Sequence, residues 1–227
     1  MFSMVRNVIY TLISLAMFSL AGYAQVNKAI SAPTPKKSNE RPAEAPQAEP
    51  FDKADVKTMA SKCVKFETEA GDIEMEMFPE SAPESVRSFL NITATGLLDT
   101  TTFSRVVPGF VIQGGNIWSR EGKVTQAMGN RAKHNLPDEP NKILHERGIV
   151  SMARTDEPNS ATTNFFILVS AGHHLDGSFA AFGRITHGMD IVDLINKAPV
   201  TDEKPEKPVR IKKASVVSCT PGQTQSP

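Results

Sequence analysis

One mostly apolar segment, residues 103–115, contains the two side chains best suited to binding chemistry. Its letters are FSRVVPGFVIQGG, so Arg105 and Gln113 are set among apolar residues and glycines. A guanidinium is a planar donor that stays charged at any relevant pH, so this composition indicates hydrogen bonding to a polar ligand in apolar surroundings. The alternative is that Phe110 belongs to the core and Arg105 forms a surface ion pair.

The spacing of these residues predicts how they meet. If residues 109–113 form a strand, alternate side chains share a face, so Gln113 lies beside Val111. Arg105 then needs a turn at Pro108 and Gly109 to reach the same pocket.

A second polar group, His173, His174 and Asp176, could suggest a metal site or a hydrolase. Adjacent histidines on a strand point in opposite directions, and neither an HxH nor an HExxH spacing occurs. The chain also lacks the GxSxG elbow of serine hydrolases. Two cysteines are too few for a four-cysteine zinc site. The sequence therefore predicts no metal and no cofactor.

Short strands and two helices are the elements that must position these residues. Alternating apolar residues predict strands over 64–67 and 73–77, joined by a glycine-containing hairpin connection. Further strands are predicted over 109–113, 149–153, 165–170, 179–186 and 211–218. About eight short strands at this density favour a barrel or a sandwich.

The two predicted helices are separated by most of these strands. Helical periodicity begins at Ser81, the expected N-cap, and continues to Asn91, while Gly96 is expected to end the helix. A second helix is predicted over 189–197. Two such helices could cover the open ends of a barrel.

Composition limits the classes of function that remain. The 227 residues include 25 basic and 25 acidic side chains, so the chain lacks the basic excess that nucleic-acid binding by bulk charge requires. Hydrophobic residues make up 40%, which is too many for a wholly disordered chain. We expect no nucleic-acid partner.

The N-terminal residues have the pattern of an export signal. Arg6 precedes an apolar run and small residues before Gln25, which predicts a signal peptide over 1–24. An uncleaved membrane anchor is the alternative. Prolines and alanines then predict a flexible linker over 25–60, the folded domain over 61–220, and a tail over 221–227.

The two cysteines lie at the ends of this domain. Cys63 begins the first predicted strand and Cys219 follows the last. An exported protein can form a disulfide between them if the terminal strands are neighbours. Two free thiols remain the alternative.

Several separate motifs, in order, resemble the cyclophilin family of peptidyl-prolyl cis–trans isomerases. They are FSRVVPGFVIQGG, IVSMAR over 149–154, SATTNFFI over 160–167, and HHLDGSFAAFGR over 173–184. The resemblance covers residues 64–218. Within the family, the chain looks like a bacterial, exported member. The resemblance implies a closed eight-stranded antiparallel β-barrel, capped by two α-helices.

The resemblance also implies roles for individual residues. Arg105 matches the catalytic arginine of the family, and Gln113 the residue that hydrogen-bonds the substrate backbone. The walls of the proline pocket are matched by Phe110, Val111, Phe166 and Leu175. Positions along the peptide groove are matched by Ala153, Arg154 and Asn164.

Two positions depart from the family pattern. A frequent tryptophan is His174 here, so we expect weak binding of cyclosporin. A common histidine is Phe179 here, which changes the pocket rim but keeps an aromatic wall.

The resemblance implies an enzyme that rotates X–Pro bonds in unfolded or partly folded exported proteins. We expect a monomer, periplasmic rather than released or membrane-anchored. Two other classes stay open: a peptide-binding scaffold with the same groove and negligible turnover, and an interaction protein that works through its proline-rich linker.

Overall fold

The computed structural model describes residues 48–219. The predicted signal peptide, residues 25–47 of the predicted linker and the tail lie outside the described residues. The helices are α1 (Val56–Ala60), α2 (Pro83–Ala94), α3 (Gln126–Arg131) and α4 (Met189–Asn196). None of the described helices is long and apolar enough to cross a membrane.

The strands are β1 (Lys62–Thr68), β2 (Asp72–Met77), β3 (Arg105–Val107), β4 (Val111–Gly114), β5 (Ile149–Met152), β6 (Phe165–Leu168), β7 (Ala181–His187), β8 (Val200–Thr201), β9 (Lys204–Pro205) and β10 (Ile211–Ser218). Eight of them form one antiparallel sheet in the order β10-β1-β2-β7-β5-β6-β4-β3, and β8 pairs with β9.

The sheet curls into a half-barrel that stays open, so the prediction of a closed barrel was wrong. Its edges are β10 and β3, and no ladder joins these two strands in the described sheet. The segments that precede them meet at one isolated bridge, between Thr102 and Arg210. Since β3 has only three residues, it offers too short an edge for a continuous ladder.

The first hairpin confirms the alternation of its sequence. Phe66 of β1 lies opposite Ile73 of β2, and both side chains are fully buried. Their sequence neighbours Lys65 and Asp72 point outward and pair with each other at 2.7 Å. In this hairpin, apolar residues therefore line the inner face of the sheet and charged residues line its outer face.

Helix α2 covers the inner face, but its first turn is capped in an unpredicted way. Its N-cap is Ala82, which offers no capping side chain, so the prediction of Ser81 as the cap was wrong. Glu139 supplies the acceptors instead, because its carboxylate accepts from the N–H groups of Glu84 and Ser85 at 2.8 and 2.7 Å. Proline at position 83 moves the helix start past Ser81.

The folded domain begins before residue 61, where the sequence analysis placed its start. Phe51 donates its N–H to Asn91 Oδ1 at 2.7 Å, and Arg87 binds the Phe51 carbonyl at 2.9 Å. Glu49 pairs with Arg131 at 2.7 Å. Met59 of α1 is fully buried. The apolar residues of this segment stand singly among charged ones. They therefore form no periodic pattern from which their packing could be predicted.

A disulfide joins Cys63 and Cys219, which are 156 residues apart in sequence. The terminal strands are indeed neighbours, since Cys63 of β1 lies opposite Val217 of β10. The cross-link therefore ties the beginning of the sheet to its end.

Candidate active site

A row of directly opposed residues crosses four neighbouring strands. Arg105 of β3 lies opposite Gln113 of β4, Gln113 opposite Phe166 of β6, and Phe166 opposite Ser151 of β5. Directly opposed residues project to the same face of a sheet. We call these four residues the outer row, because their neighbours Val106, Ile112, Ile167 and Val150 are fully buried in the interior core.

The turn between β3 and β4 brings Arg105 beside Gln113, as its sequence predicted. Gly109 adopts a φ of +74°, which glycine tolerates without strain. Asn196, at the end of α4, holds this turn: its side-chain amide donates to the carbonyls of Val107 and Val111 at 2.9 and 3.0 Å. Its Oδ1 accepts from the Gly109 N–H at 2.7 Å. The turn that carries Phe110 is therefore fixed at three points.

The predicted walls of a proline pocket lie together in an outer apolar cluster. Its buried members include Val111, Phe166 and Leu175, which are 2%, 7% and 9% exposed. Phe110, Phe179 and Ala153 pack against them and are partly exposed. The cluster therefore has a fixed base and accessible sides.

Two aromatic contacts shape the rim of the outer apolar cluster. The Phe179 ring meets the Phe166 ring edge-on at 5.9 Å, and the Phe110 ring lies 5.4 Å from that of His174. Both residues that depart from the family pattern thus lie at this rim.

Arg105 lies at one end of the outer row and is held by two acceptors. Its Nη1 donates to Gln113 Oε1 at 3.2 Å, and its Nε donates to Glu203 Oε2 at 2.7 Å. The side chain is 45% exposed, so the guanidinium remains accessible to a ligand. Sequence reasoning missed Glu203, because it lies 98 residues away and no local pattern marks it.

The predicted groove residues directly follow β5 or precede β6. Ala153 donates its N–H to the carbonyl of Asn164 at 2.9 Å. The Arg154 guanidinium lies over the Phe179 ring at 4.8 Å. Gly115 permits the close approach of this segment, since a Cβ there would lie 2.1 Å from the Thr163 carbonyl oxygen.

A buried histidine that the sequence analysis did not select lies behind Phe166. The His145 ring is stacked against the Phe166 ring at 6.5 Å. Its Nε2 lies 2.9 Å from Ser151 Oγ, and its Nδ1 lies 3.1 Å from Asp176 Oδ1. Ser151 is fully buried, so its hydroxyl is not accessible as a nucleophile despite this triad-like order.

Burial and hydrogen bonding shift the pKa values of both His145 and Asp176. Burial lowers the pKa of His145, while the hydrogen bond to Asp176 acts in the opposite direction. The pKa of the Asp176 carboxyl is lowered, chiefly because it accepts the backbone N–H of His145. Both shifts favour a neutral histidine and an ionised aspartate at the base of the cluster.

Comparison with known proteins identifies the family. The family model described as "Cyclophilin type peptidyl-prolyl cis-trans isomerase/CLD" matches residues 63–216, which is more than half of the chain. The chain belongs to the cyclophilin family, and it is a peptidyl-prolyl cis–trans isomerase.

Two bacterial relatives illustrate the similarity. A peptidyl-prolyl cis-trans isomerase of Acinetobacter baylyi is 33% identical over 165 residues, covering 67% of this chain and 84% of its own length. Peptidyl-prolyl cis-trans isomerase A of Dickeya dadantii is 35% identical over 164 residues, with coverages of 68% and 84%.

Solved structures share the fold. A cyclophilin-type isomerase of Cryptosporidium parvum, crystallised in the presence of the dipeptide Ala-Pro, matches with a TM-score of 0.61 and 29% identity. The match covers 69% of this chain and 99% of that one. A cyclophilin of Hirschia baltica matches with a TM-score of 0.56 and 25% identity, covering 69% and 74%.

Proposed function

We propose that this cyclophilin isomerises X–Pro bonds in unfolded or partly folded exported proteins. In this proposal the outer apolar cluster holds the proline ring and Arg105 donates to the prolyl nitrogen. The observation that carries it is the outer row, in which Gln113 lies between Arg105 and Phe166 on one face of the sheet.

The reaction is slow because the X–Pro amide is stabilised by resonance. Its rotation has a barrier of about 18–20 kcal/mol, and it takes on the order of tens to hundreds of seconds without a catalyst. The twisted transition state has lost this resonance, so its carbonyl is less polar and its nitrogen regains a lone pair. An apolar pocket around Phe166 therefore disfavours the planar ground state more than the twisted state.

Arg105 acts on the lone pair that appears during rotation. A donor aimed at the prolyl nitrogen gains its acceptor only in the transition state, so the interaction lowers the barrier rather than tightening ground-state binding. The guanidinium stays protonated throughout, and no covalent bond or cofactor is required. A rate gain of about 10⁵ needs about 7 kcal/mol, at roughly 1.36 kcal/mol per tenfold.

The remaining groove residues hold the peptide while its carbonyl turns. Gln113 is assigned to the substrate backbone, since its amide lies directly beside both Arg105 and Phe166 in the outer row. Ala153, Arg154 and Asn164 are assigned to the chain on the other side of the proline. The Ala-Pro dipeptide present with the Cryptosporidium parvum protein is consistent with a pocket for this kind of ligand.

Export is supported by the disulfide between Cys63 and Cys219 and by the signal-like pattern of residues 1–24. We propose a periplasmic monomer whose residues 25–47 are a spacer, with an uncleaved anchor as the alternative topology. His174 contacts Phe110 where the family often has tryptophan, so we expect weak cyclosporin binding.

The test is isomerisation of a short X–Pro peptide by residues 25–227 and by the Arg105→Ala variant at equal concentration. We expect fast turnover that falls by about 10²–10³ in the variant, the usual effect of removing one transition-state donor. Near-normal turnover by Arg105→Ala would contradict the mechanism.

The same assay separates the two other classes of function. A folded wild-type protein that binds the peptide without turnover would be a scaffold, and His174 and Phe179 would then be the first residues to examine. An interaction protein that works through its linker would lose its cellular role when residues 25–47 are deleted, although its peptide turnover would be unchanged.

A further inference from the structure

A carboxylate from a distant hairpin binds the arginine of the outer row. Glu203 lies in the turn between β8 and β9, and its Oε2 accepts from Arg105 Nε at 2.7 Å. The backbone of the same residue is also bound to β3, because its carbonyl accepts the Val106 N–H at 2.8 Å. Glu203 is thus fixed to β3 through both its main chain and its side chain.

The turn that presents Glu203 has an unfavourable backbone for its residue types. Asp202 and Glu203 have φ values of 49° and 62°, so both central residues are left-handed, as in a type I′ turn. Glycine and asparagine adopt this conformation readily, whereas glutamate rarely does. A strained residue whose side chain contacts the proposed catalytic arginine points to a functional reason for its identity.

Stability alone does not explain the glutamate. The Arg105 and Glu203 side chains are 45% and 48% exposed, and exposed ion pairs contribute little to folding. The backbone hydrogen bond to Val106 would form with any residue at position 203. The feature that requires a glutamate is the contact of its carboxylate with Nε.

We propose that Glu203 is a positioning residue for isomerisation. Its carboxylate holds Nε while Gln113 holds Nη1, so the guanidinium plane is set from two sides. Neither of these two hydrogen bonds uses Nη2. This proposal rests on the proposed function, in which Arg105 donates to the prolyl nitrogen.

The contact restricts a flexible side chain before substrate binds. An unrestrained arginine samples many rotamers, and the freedom lost when it is ordered adds to the barrier of the reaction. With Glu203 in place, this ordering is achieved during folding. Loss of the carboxylate should therefore lower kcat and leave KM unchanged, because the affected interaction forms only in the transition state.

The experiment compares three substitutions of Glu203 in residues 25–227, with kcat and KM measured on an X–Pro peptide. Glu203→Ala should lower kcat about two- to fivefold, the range expected for loss of one exposed ion pair. Glu203→Gln keeps an oxygen acceptor for Nε and should stay within about twofold of wild type, since a neutral hydrogen bond retains much of the restraint.

Glu203→Gly separates activity from stability. Glycine relieves the left-handed strain, so the thermal midpoint should be unchanged or raised while kcat falls as in Glu203→Ala. A merely structural glutamate would give the opposite pattern, unchanged kcat with an altered midpoint. Glu206→Ala is the matched control, because it removes an exposed glutamate three residues away that does not contact Arg105.

Four results would overturn the proposal. The first two are an unchanged kcat in both Glu203→Ala and Glu203→Gly, or a higher kcat in either. The other two are an equal loss of kcat in Glu206→Ala, or failure of Glu203→Gln to retain activity. The Arg105→Ala arm distinguishes these results from failure of the proposed function. If Arg105→Ala is inactive while the Glu203 variants match wild type, only the positioning role is wrong.

Discussion

The two faces of the same four strands differ sharply in composition. The inner row, Val106, Ile112, Ile167 and Val150, consists of fully buried aliphatic residues. The outer row, one residue along each strand, contains Arg105, Gln113, Phe166 and Ser151. Every inner residue is of one chemical type, whereas every outer residue is different.

This difference shows how a sheet separates stability from function. Any well-packed aliphatic set would serve the inner row, since packing depends chiefly on volume and shape. The outer row depends on identity and order, because an arginine must lie beside an amide and an amide beside an aromatic ring. The inner row fixes the strand register, and the register fixes the order of the outer row.

The largest expected effect comes from breaking the outer row at its buried aromatic residue. Phe166→Ala should destabilise the protein by about 3–5 kcal/mol, because a large side chain is removed from a packed site. It should also lower kcat/KM by about ten- to a hundredfold, since the proline ring loses a wall worth roughly 1.5–3 kcal/mol of burial. Urea unfolding and peptide kinetics measure the two effects.

Ile167→Ala is the matched control for Phe166→Ala, because the two residues are adjacent but face opposite sides of the sheet. It should lose about 2–5 kcal/mol of stability and keep the kcat/KM of the folded fraction. If Phe166→Ala is too unstable to assay, Phe166→Leu gives the same comparison with a smaller cavity. Equal activity losses on both faces would show that the rows are not functionally distinct.

A smaller effect is expected when the exposed end of the outer row is changed without loss of charge. Arg105→Lys keeps a positive side chain, but an ammonium lacks the planar fork that meets Glu203 and Gln113 together. We expect kcat to fall by about tenfold, with the free energy of unfolding changed by less than about 0.5 kcal/mol.

The control for Arg105→Lys is Arg147→Lys, which alters an exposed arginine paired with Asp193 outside the site. It should leave kcat unchanged. An Arg105→Lys enzyme as active as wild type would mean that charge, and not the shape of the donor, is what the reaction requires.

Sequence reasoning placed part of the outer row correctly. The sequence indicated that Arg105 and Gln113 share a face if residues 109–113 form a strand and the chain turns at Gly109. The structure pairs these two residues directly, with the strand over Val111–Gly114. Periodicity also predicted α2 and α4 to within a few residues. These features are local, so their signals are contained in a few consecutive residues.

The unpredicted features depend on contacts between residues far apart in sequence. Strand β3 and the β8–β9 hairpin have three and two residues per strand, which is too short for a periodic pattern. Glu139 and Glu203 act on α2 and Arg105 from distant loops. Whether the sheet closes is decided by its edge strands, and no local pattern reports how those edges pair.

The smallest expected effect is a pH dependence at the buried end of the outer row. Burial lowers the pKa of His145 below its ordinary value of 6.5, so the unfolded chain binds this proton more tightly than the folded protein. Stability should therefore be complete above pH 6.5 and decline as the pH falls through the folded-state pKa.

Thermal midpoints of the wild type and His145→Gln between about pH 5 and 8 test this expectation, in the range where histidine charge changes. The wild-type midpoint should fall toward the acid end, and His145→Gln should remove part of that fall. The lowered pKa of Asp176 has the same sign, but its effect lies mainly below this range, near and under its ordinary value of 3.8. The exposed His134→Gln variant controls for loss of a histidine. If the thermal midpoints of wild type and His145→Gln fall in parallel, protonation of His145 is not what opposes folding at acid pH.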